Sequence, residues 1–414
     1  MPFKTARHWP RTLGYFAVFV AVGLETASLG PTLSGLAEQT NTQLDAISFL
    51  FTAHALGYML GSFFGGRLYD RVPGHPLMAG MLALVAAMLA LIPLVPALWL
   101  LTVAWLLLGV GGGALDVGGN TLIVWAHGRK VGPFMNALHF FFGVGSFLAP
   151  VIVGQALTLS GDISWGYWLL ALLVLPVALW LLRVPSPSSP NRMPHDTQQN
   201  GSNAEDALRS ELQQTTTGRG KIVLLIALLL LFYVGAESAF GGWIHTFAIA
   251  LDLSDAATAA YLTSAFWGAL TFGRLVSIPL AARYRPSSIL LADLLGCLAS
   301  VGVILLWPSS ALAVWLGALG LGFAMASVFP TAISLAERRI PITGQVTGWF
   351  LVAASIGAMS IPWLIGQLFE PLGPPSAMWV ILLDLAAGLL VLGILLRVDT
   401  PTLVSSEEQE GRVG

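Results

Sequence analysis

Twelve apolar stretches leave this 414-residue chain few ways to fold. They cover 12–36, 45–66, 76–96, 99–125, 131–156, 164–183, 221–250, 256–281, 287–307, 311–336, 345–368 and 377–397. Most are long enough, at ~1.5 Å per residue, to cross a hydrocarbon core ~30 Å thick. Strands of a membrane barrel would be about ten residues long and alternate in polarity, which these do not. Charged residues make up 10% of the chain, where a soluble domain carries about 25%. The expectation is an all-α membrane protein of twelve transmembrane helices, with the lipid bilayer as its main partner.

Lysine and arginine give the orientation. With the N-terminus in the cytoplasm, all 19 fall in cytoplasmic segments or, for Arg274, in the cytoplasmic half of span eight. The outer loops hold Glu38, Asp45, Asp162, Asp252, Asp255 and Glu370 and no cation. This is the positive-inside pattern, and a wrong span count would break it. It implies a multi-pass protein of the inner (plasma) membrane with both termini cytoplasmic. The basic N-terminus leads into a run containing Glu25 and then many further spans, so it reads as the first span and not a cleaved signal. The net charge of −2 says nothing about nucleic acid, and with no basic patch interleaved with aromatics no nucleic-acid partner is expected. The single cysteine, Cys297, permits no internal disulfide or thiolate cluster.

The polar stretch 185–220 reads as a flexible cytoplasmic linker, with a short amphipathic helix around 204–212, and 399–414 as a polar tail. It separates six spans (1–184) from six (221–398). Gly23-Leu24-Glu25-Thr26-Ala27 returns as Gly235-Ala236-Glu237-Ser238-Ala239, 212 residues later. Gly145, Pro150, Gly154 and Gln155 return at the same offset as Gly357, Pro362, Gly366 and Gln367. Gly66-Arg67-Leu68 matches Gly273-Arg274-Leu275 at an offset of 207. Parallel repeats of this kind suit transporters whose halves rock about a midplane site.

Apolar packing does not account for a few side chains. Asp116 and Asn120 lie four apart in span four, and Asn136 and His139 three apart in span five, so each pair shares a helical face. A carboxylate at mid-helix costs ~2.5–3.5 kcal/mol even on lenient insertion scales, and such residues are functional by default. Asp116 among glycines has room for water, a cation or a sugar hydroxyl; the bland reading is an interhelical packing bond. Asn136 and His139 offer donors and acceptors for hydroxyls, unless His139 merely satisfies Asp116 or a backbone carbonyl. Glu25 and Glu237 occupy equivalent repeat positions and would face each other across the pseudo-twofold axis, with no lysine or arginine at that depth. Glu25 and Asp116 are the candidate coupling carboxylates, and Glu237 a substrate contact. Trp243, Trp267 and Trp349 offer indole faces to a sugar ring, with Trp243 preferred. Gln155 and Gln367 sit towards an outer vestibule. His54 reads as packed, and Asp384 has no evident role. There is no nucleophile–base pair or phosphate-binding loop, so an enzyme is not expected.

Gly66-Arg67-Leu68-Tyr69-Asp70-Arg71 resembles the G-x-L-x-D-R signature of the major facilitator superfamily. Gly30-Pro31-Thr32-Leu33, Leu115 to Asn120, Ala137 to Gly145 and Gly241-Gly242-Trp243-Ile244 are similar to its sodium-dependent glucose transporter 1 branch, related to the fucose–proton symporters. The resemblance implies a monomer that imports a monosaccharide by rocker-switch alternating access, coupled to H+ or to Na+ near Asp116, with no cofactor. It further implies a gate built from Arg67, Asp70, Arg71, Arg129 and Arg274, with Asp70 braced against the start of span eleven. Glu25 departs from the branch pattern and favours proton coupling or an altered substrate. The rival reading is a proton-coupled exporter of an amphipathic compound, kept open because the second half reads as poor in polar mid-span residues beyond Glu237.

Overall fold

The structure is a computed structural model that describes residues 9–128, 131–187, 216–340 and 344–398. Arg129, the expected helix at 204–212 and the tail from 399 lie outside the described residues. In chain order the helices are α1 (Trp9–Thr26), α2 (Leu29–Thr40), α3 (Leu44–Ile47), α4 (Phe49–Arg71), α5 (Gly74–Leu91), α6 (Leu98–His127), α7 (Gly132–Ser160) and α8 (Ile163–Arg183). The second half holds α9 (Thr216–Ala250), α10 (Ala256–Arg283), α11 (Pro286–Leu306), α12 (Ala311–Met325), α13 (Val328–Glu337), α14 (Gly344–Leu372) and α15 (Pro375–Arg397).

Eleven of the described segments are long and apolar enough to cross a membrane singly, and the bent pair α1–α2 makes the twelfth. The 45° bend between α1 and α2 is new relative to the sequence expectation of one continuous span. Its cause is local: Pro31 has no N–H to offer the carbonyl one turn back. The Ser28 hydroxyl meanwhile donates to the Glu25 carbonyl at 2.7 Å, competing with the helix ladder. Span ten is also interrupted, between α12 and α13 just before Pro330, but without a comparable bend.

Glycines decide which helices touch. A Cβ on Gly57 would lie 2.0 Å from the Leu106 carbonyl oxygen, and one on Gly113 2.1 Å from that of Tyr58, so α4 and α6 pack backbone to backbone. The repeat reappears in this packing. Gly145 seats α7 on α1, its added Cβ 2.1 Å from the Val20 oxygen; Gly357 seats α14 on α9, 2.0 Å from the Leu231 oxygen.

Between halves, α7 packs on α10, α4 on α14 and α2 on α9. Exchanging the halves maps this set of pairings onto itself, as a pseudo-twofold axis requires. With an even number of spans, α1 begins and α15 ends on one face, termed the terminal face. The hydrogen bonds joining the halves concentrate on the opposite, outer face. Leu44 N–H donates to Glu370 at 3.0 Å, Gln367 to the Asp45 carbonyl at 2.9 Å, and Gln155 to the Tyr261 hydroxyl at 2.5 Å. Gln155 and Gln367 therefore close a seam and do not line an open vestibule.

Asp384 is buried in α15, and its carboxyl oxygens make no well-formed hydrogen bond among the described residues, with only the Ala236 backbone N–H close by. An unsatisfied buried polar group costs roughly 1–3 kcal/mol. Asp384→Leu is therefore expected to raise the melting temperature in detergent; a lower one would mean that the carboxyl has a stabilising partner.

Candidate functional site

The close α4–α6 packing brings two polar pairs together. Tyr58 on α4 donates its hydroxyl to Asp116 on α6 at 2.7 Å. Asn120, one turn along, donates to the same carboxylate at 3.1 Å and to the Asp116 carbonyl at 3.0 Å. One turn before Tyr58, His54 Nε2 is bonded to the fully buried Glu25 carboxylate of α1, which also accepts from the Thr26 hydroxyl at 3.2 Å. Glu25 lies against Gly112 of α6, where any Cβ would press on the carboxylate at 2.9 Å. Glu25 is also near enough to Tyr58 to act on it electrostatically. The strip consists of two hydrogen-bonded groups, Asn120–Asp116–Tyr58 and Glu25–His54, whose α4 members lie one turn apart.

The strip ends at a pocket between the halves, bounded by Thr26, Gly30, Phe51, His54, Ala55 and Trp105 from the first half and Ser238, Gly241, Gly242, Trp267 and Ala358 from the second. Thr26 and Ser238, Gly30 and Gly242, and Ala55 and Trp267 are each 212 apart, so repeat-related positions face one another across it. The indole N–H groups of Trp105 and Trp267 are buried with no acceptor among the described residues. Native proteins leave few such donors, and each asks for an explanation. On the outer side Gly30 abuts the Gly241 carbonyl, where an added Cβ would come within 2.3 Å. Phe51, Trp243 and Phe369 stack above that contact.

Asp116, Asn120 and Glu237 are half-buried, and Asn136 and His139 are exposed near the start of α7, on the terminal side. Neither of the last two bonds Asp116, contrary to the packing role considered for His139. Its ring rests edge-on against Phe19, 5.6 Å between centroids, and its carbonyl accepts from Arg274 at 3.5 Å. Glu237 accepts from Tyr233 at 3.0 Å, within its own half, and does not meet Glu25 directly. Arg274 acts on Glu237 electrostatically, which corrects the expectation that no cation reaches that depth.

The expected stacking platform at Trp243 is also corrected. It is fully buried, its indole donates to the Pro362 carbonyl at 2.9 Å, and both faces are taken by Phe51 and Phe369. Trp267 does line the pocket, whereas Trp349 is 58% exposed away from it. Arg67 lies over its own helix, 3.9 Å above the Phe63 ring. Asp70 and Arg71 are exposed, and no hydrogen bond or ion pair reaches Asp70 among the described residues. The start of span eleven, where the brace was expected, lies partly outside the described residues. The second half is less bare than the sequence suggested, since it also places Asp293 in a hydrogen bond from Ser327 at the break of span ten.

His54, Tyr58 and Trp105 are the site residues that sequence reasoning passed over or set aside. The signal for the first two was their i, i+4 spacing in a glycine-rich span, the same spacing that drew attention to Asp116 and Asn120.

Comparison with known proteins agrees with this architecture. The sodium-dependent glucose transporter 1 of Xenopus laevis is 31% identical over 366 residues, 83% of this chain and 72% of that protein. Sodium-dependent glucose transporter 1A of Mus musculus is 29% identical, covering 85% and 88%. Among solved structures, a D-xylose–proton symporter superposes with a TM-score of 0.79 at 14% identity, covering 96% of this chain and 98% of that one. The inward-open xylose transporter XylE from E. coli gives 0.75 at 15% identity, covering 98% and 99%. These relatives are membrane transporters, not enzymes. Residues 13–362 match the Major Facilitator Superfamily, and the chain belongs to that family.

Proposed function

We propose that this transporter imports a monosaccharide, a hexose or 6-deoxyhexose, coupled to H+ or Na+ by rocker-switch alternating access. The supporting observation is the pocket between the halves, lined at repeat-related positions and joined by His54 to a strip of intramembrane carboxylates. An uncharged ring bearing hydroxyls matches its walls. Hydroxyl oxygens accept from the Trp105 and Trp267 N–H groups, Thr26 and Ser238 supply further hydroxyls, and the aromatic walls suit C–H faces. Among the described residues no lysine or arginine borders the pocket, which disfavours an anionic solute.

In this reading the bundles 1–184 and 221–398 rock about the pocket, joined by the linker 185–220, in a plasma-membrane monomer with both termini cytoplasmic. The terminal face is then the inner one, and the structure is inward-facing. Cation binding at Asp116 or Glu25 favours the outward-facing state and organises the solute site. Asn136, His139, Glu237 and Arg274 line the inner vestibule through which the solute leaves.

Counterflow of labelled hexoses in proteoliposomes, with sodium and pH varied independently, tests the proposal. Exchange of a hexose is expected, and no exchange of any hexose or 6-deoxyhexose overturns it. Trp267→Phe keeps the ring and removes one donor, so the KM for the exchanged sugar should rise by roughly 2–12-fold, the worth of one hydrogen bond. An unchanged KM would remove Trp267 from the site.

The aromatic wall of Phe51, Trp105 and Trp267 also suits a second reading, proton-coupled export of an amphipathic compound. Net outward movement of such a compound against its gradient would favour that reading.

A further inference from the structure

Glu25 is fully buried, and the pocket boundary includes Thr26 and His54 but not Glu25 itself. His54 is the titratable side chain on that boundary among the described residues. Its Nε2 is bonded to Glu25, its side chain keeps 15% of its surface exposed, and its Nδ1 has no partner among the described residues. Trp105 stands edge-on to the ring at 5.7 Å and limits its tilt. Imidazole can bind a proton at one nitrogen while releasing one from the other.

We propose that His54 relays the coupling proton between the solute pocket and Glu25, so that the pocket reaches the buried carboxylate through this side chain. The inference rests on the cation-coupled reading above and assigns the cation as H+. In the relay, a proton from pocket water adds to Nδ1 as the Nε2 proton passes to Glu25 Oε1. The imidazole ends neutral in its other tautomer, Glu25 ends as the carboxylic acid, and no electron moves. Reversing the steps returns the proton. A solute in the pocket sits against the nitrogen through which the proton enters, which ties its occupancy to that of Glu25.

The charged and titratable groups around His54 are few. α1 contributes Glu25, α6 contributes Asp116 through Tyr58 of α4 itself, and α9 contributes Glu237 beside the pocket residue Ser238, with Arg274 acting on Glu237. The carboxylates of α14 and α3, Glu370 and Asp45, lie at the outer seam: Glu370 accepts from Leu44 N–H and the Asp45 side chain from Ala46 N–H. Among the described residues no lysine or arginine is bonded to the pair, leaving a mobile proton to balance it.

His54→Gln keeps a polar side chain of similar reach but cannot relay. His54 borders the solute pocket, so counterflow of the exchanged hexose, which needs no net proton movement, is expected to fall only by roughly 2–12-fold, the worth of one hydrogen bond. Hexose-driven proton uptake, read with an entrapped pH dye, should fall roughly 10²-fold, the scale of a lost proton-transfer group. Equal losses in both assays would mean a structural role and overturn the relay, as would unchanged proton uptake. A measurement without sugar separates this inference from the transport reading. The infrared carboxyl band lost in Glu25→Gln should respond to a pH jump in wild type and respond more slowly in His54→Gln. An unchanged rate overturns the relay whether or not any hexose is transported.

Discussion

Gly30→Ala is expected to move this transporter out of the conformation described here. The added Cβ would come 2.3 Å from the Gly241 carbonyl oxygen, a backbone atom that cannot swing aside. The outer faces of α2 and α9 must then part. Overpacking of a tight contact costs ~1–3 kcal/mol, and each ~1.4 kcal/mol is tenfold in population, so the outward-facing share should rise by roughly 5–150-fold. The cost falls on one state, since the contact exists only while the outer face is closed. Ser34 reports on this directly, because its hydroxyl lies 3.4 Å from that of Thr246 across the same seam. Ser34→Cys should react with a membrane-impermeant maleimide faster when Gly30→Ala is added. Equal rates would mean that the seam is not the outer gate.

Asp116→Leu is expected to abolish gradient-driven accumulation while leaving a folded protein. The substitution removes the acceptor shared by Tyr58 and Asn120; Asn120 keeps the backbone carbonyl of residue 116, whereas the Tyr58 hydroxyl is left unpaired at ~1–3 kcal/mol. It also removes the carboxylate that links the vestibule to Glu25. A coupling free energy of ~1–3 kcal/mol, a factor of roughly 5–150 in affinity, would be lost. Solute would then equilibrate across the bilayer without being concentrated. Asp116→Asn keeps the shape and an acceptor, so it should fold better and still fail to accumulate. Accumulation by both variants at the wild-type level would show that Asp116 only packs helices.

The fold was legible because burying a helix in lipid demands a long apolar run, and twelve such runs stand out. Basic residues on one side and the 212-residue offset then fixed span count and repeat. Asp116 and Asn120 were legible for the opposite reason, as polar exceptions in apolar surroundings. His54 and Tyr58 were harder to read, because their partners come from other helices and depend on the close approach that Gly57 and Gly113 permit. Trp243 was misread for a related reason. Gly241 and Gly242 do open space, but Phe51 fills it once the outer face closes. The Asp70 brace depends on which face is closed, and one sequence serves both states. The kink at Ser28 was the exception, since Gly30-Pro31 announces it locally.

In the proposed cycle Asp116 and Asn120 open onto a watery vestibule on the terminal face, and Tyr58, Glu25 and His54 lead from them to the pocket between two like halves. Cys297 is buried and is the chain's single cysteine, so a Cys297→Ser background leaves an introduced thiol as the sole target. Asn120→Cys in that background, treated with an impermeant thiol reagent in inside-out vesicles, tests the path most directly. Modification from the terminal face, slowed by the exchanged sugar and reduced when Gly30→Ala is added, is the predicted result. A thiol that is unreactive from either face, or that reacts with no regard to sugar or to Gly30, would contradict the account.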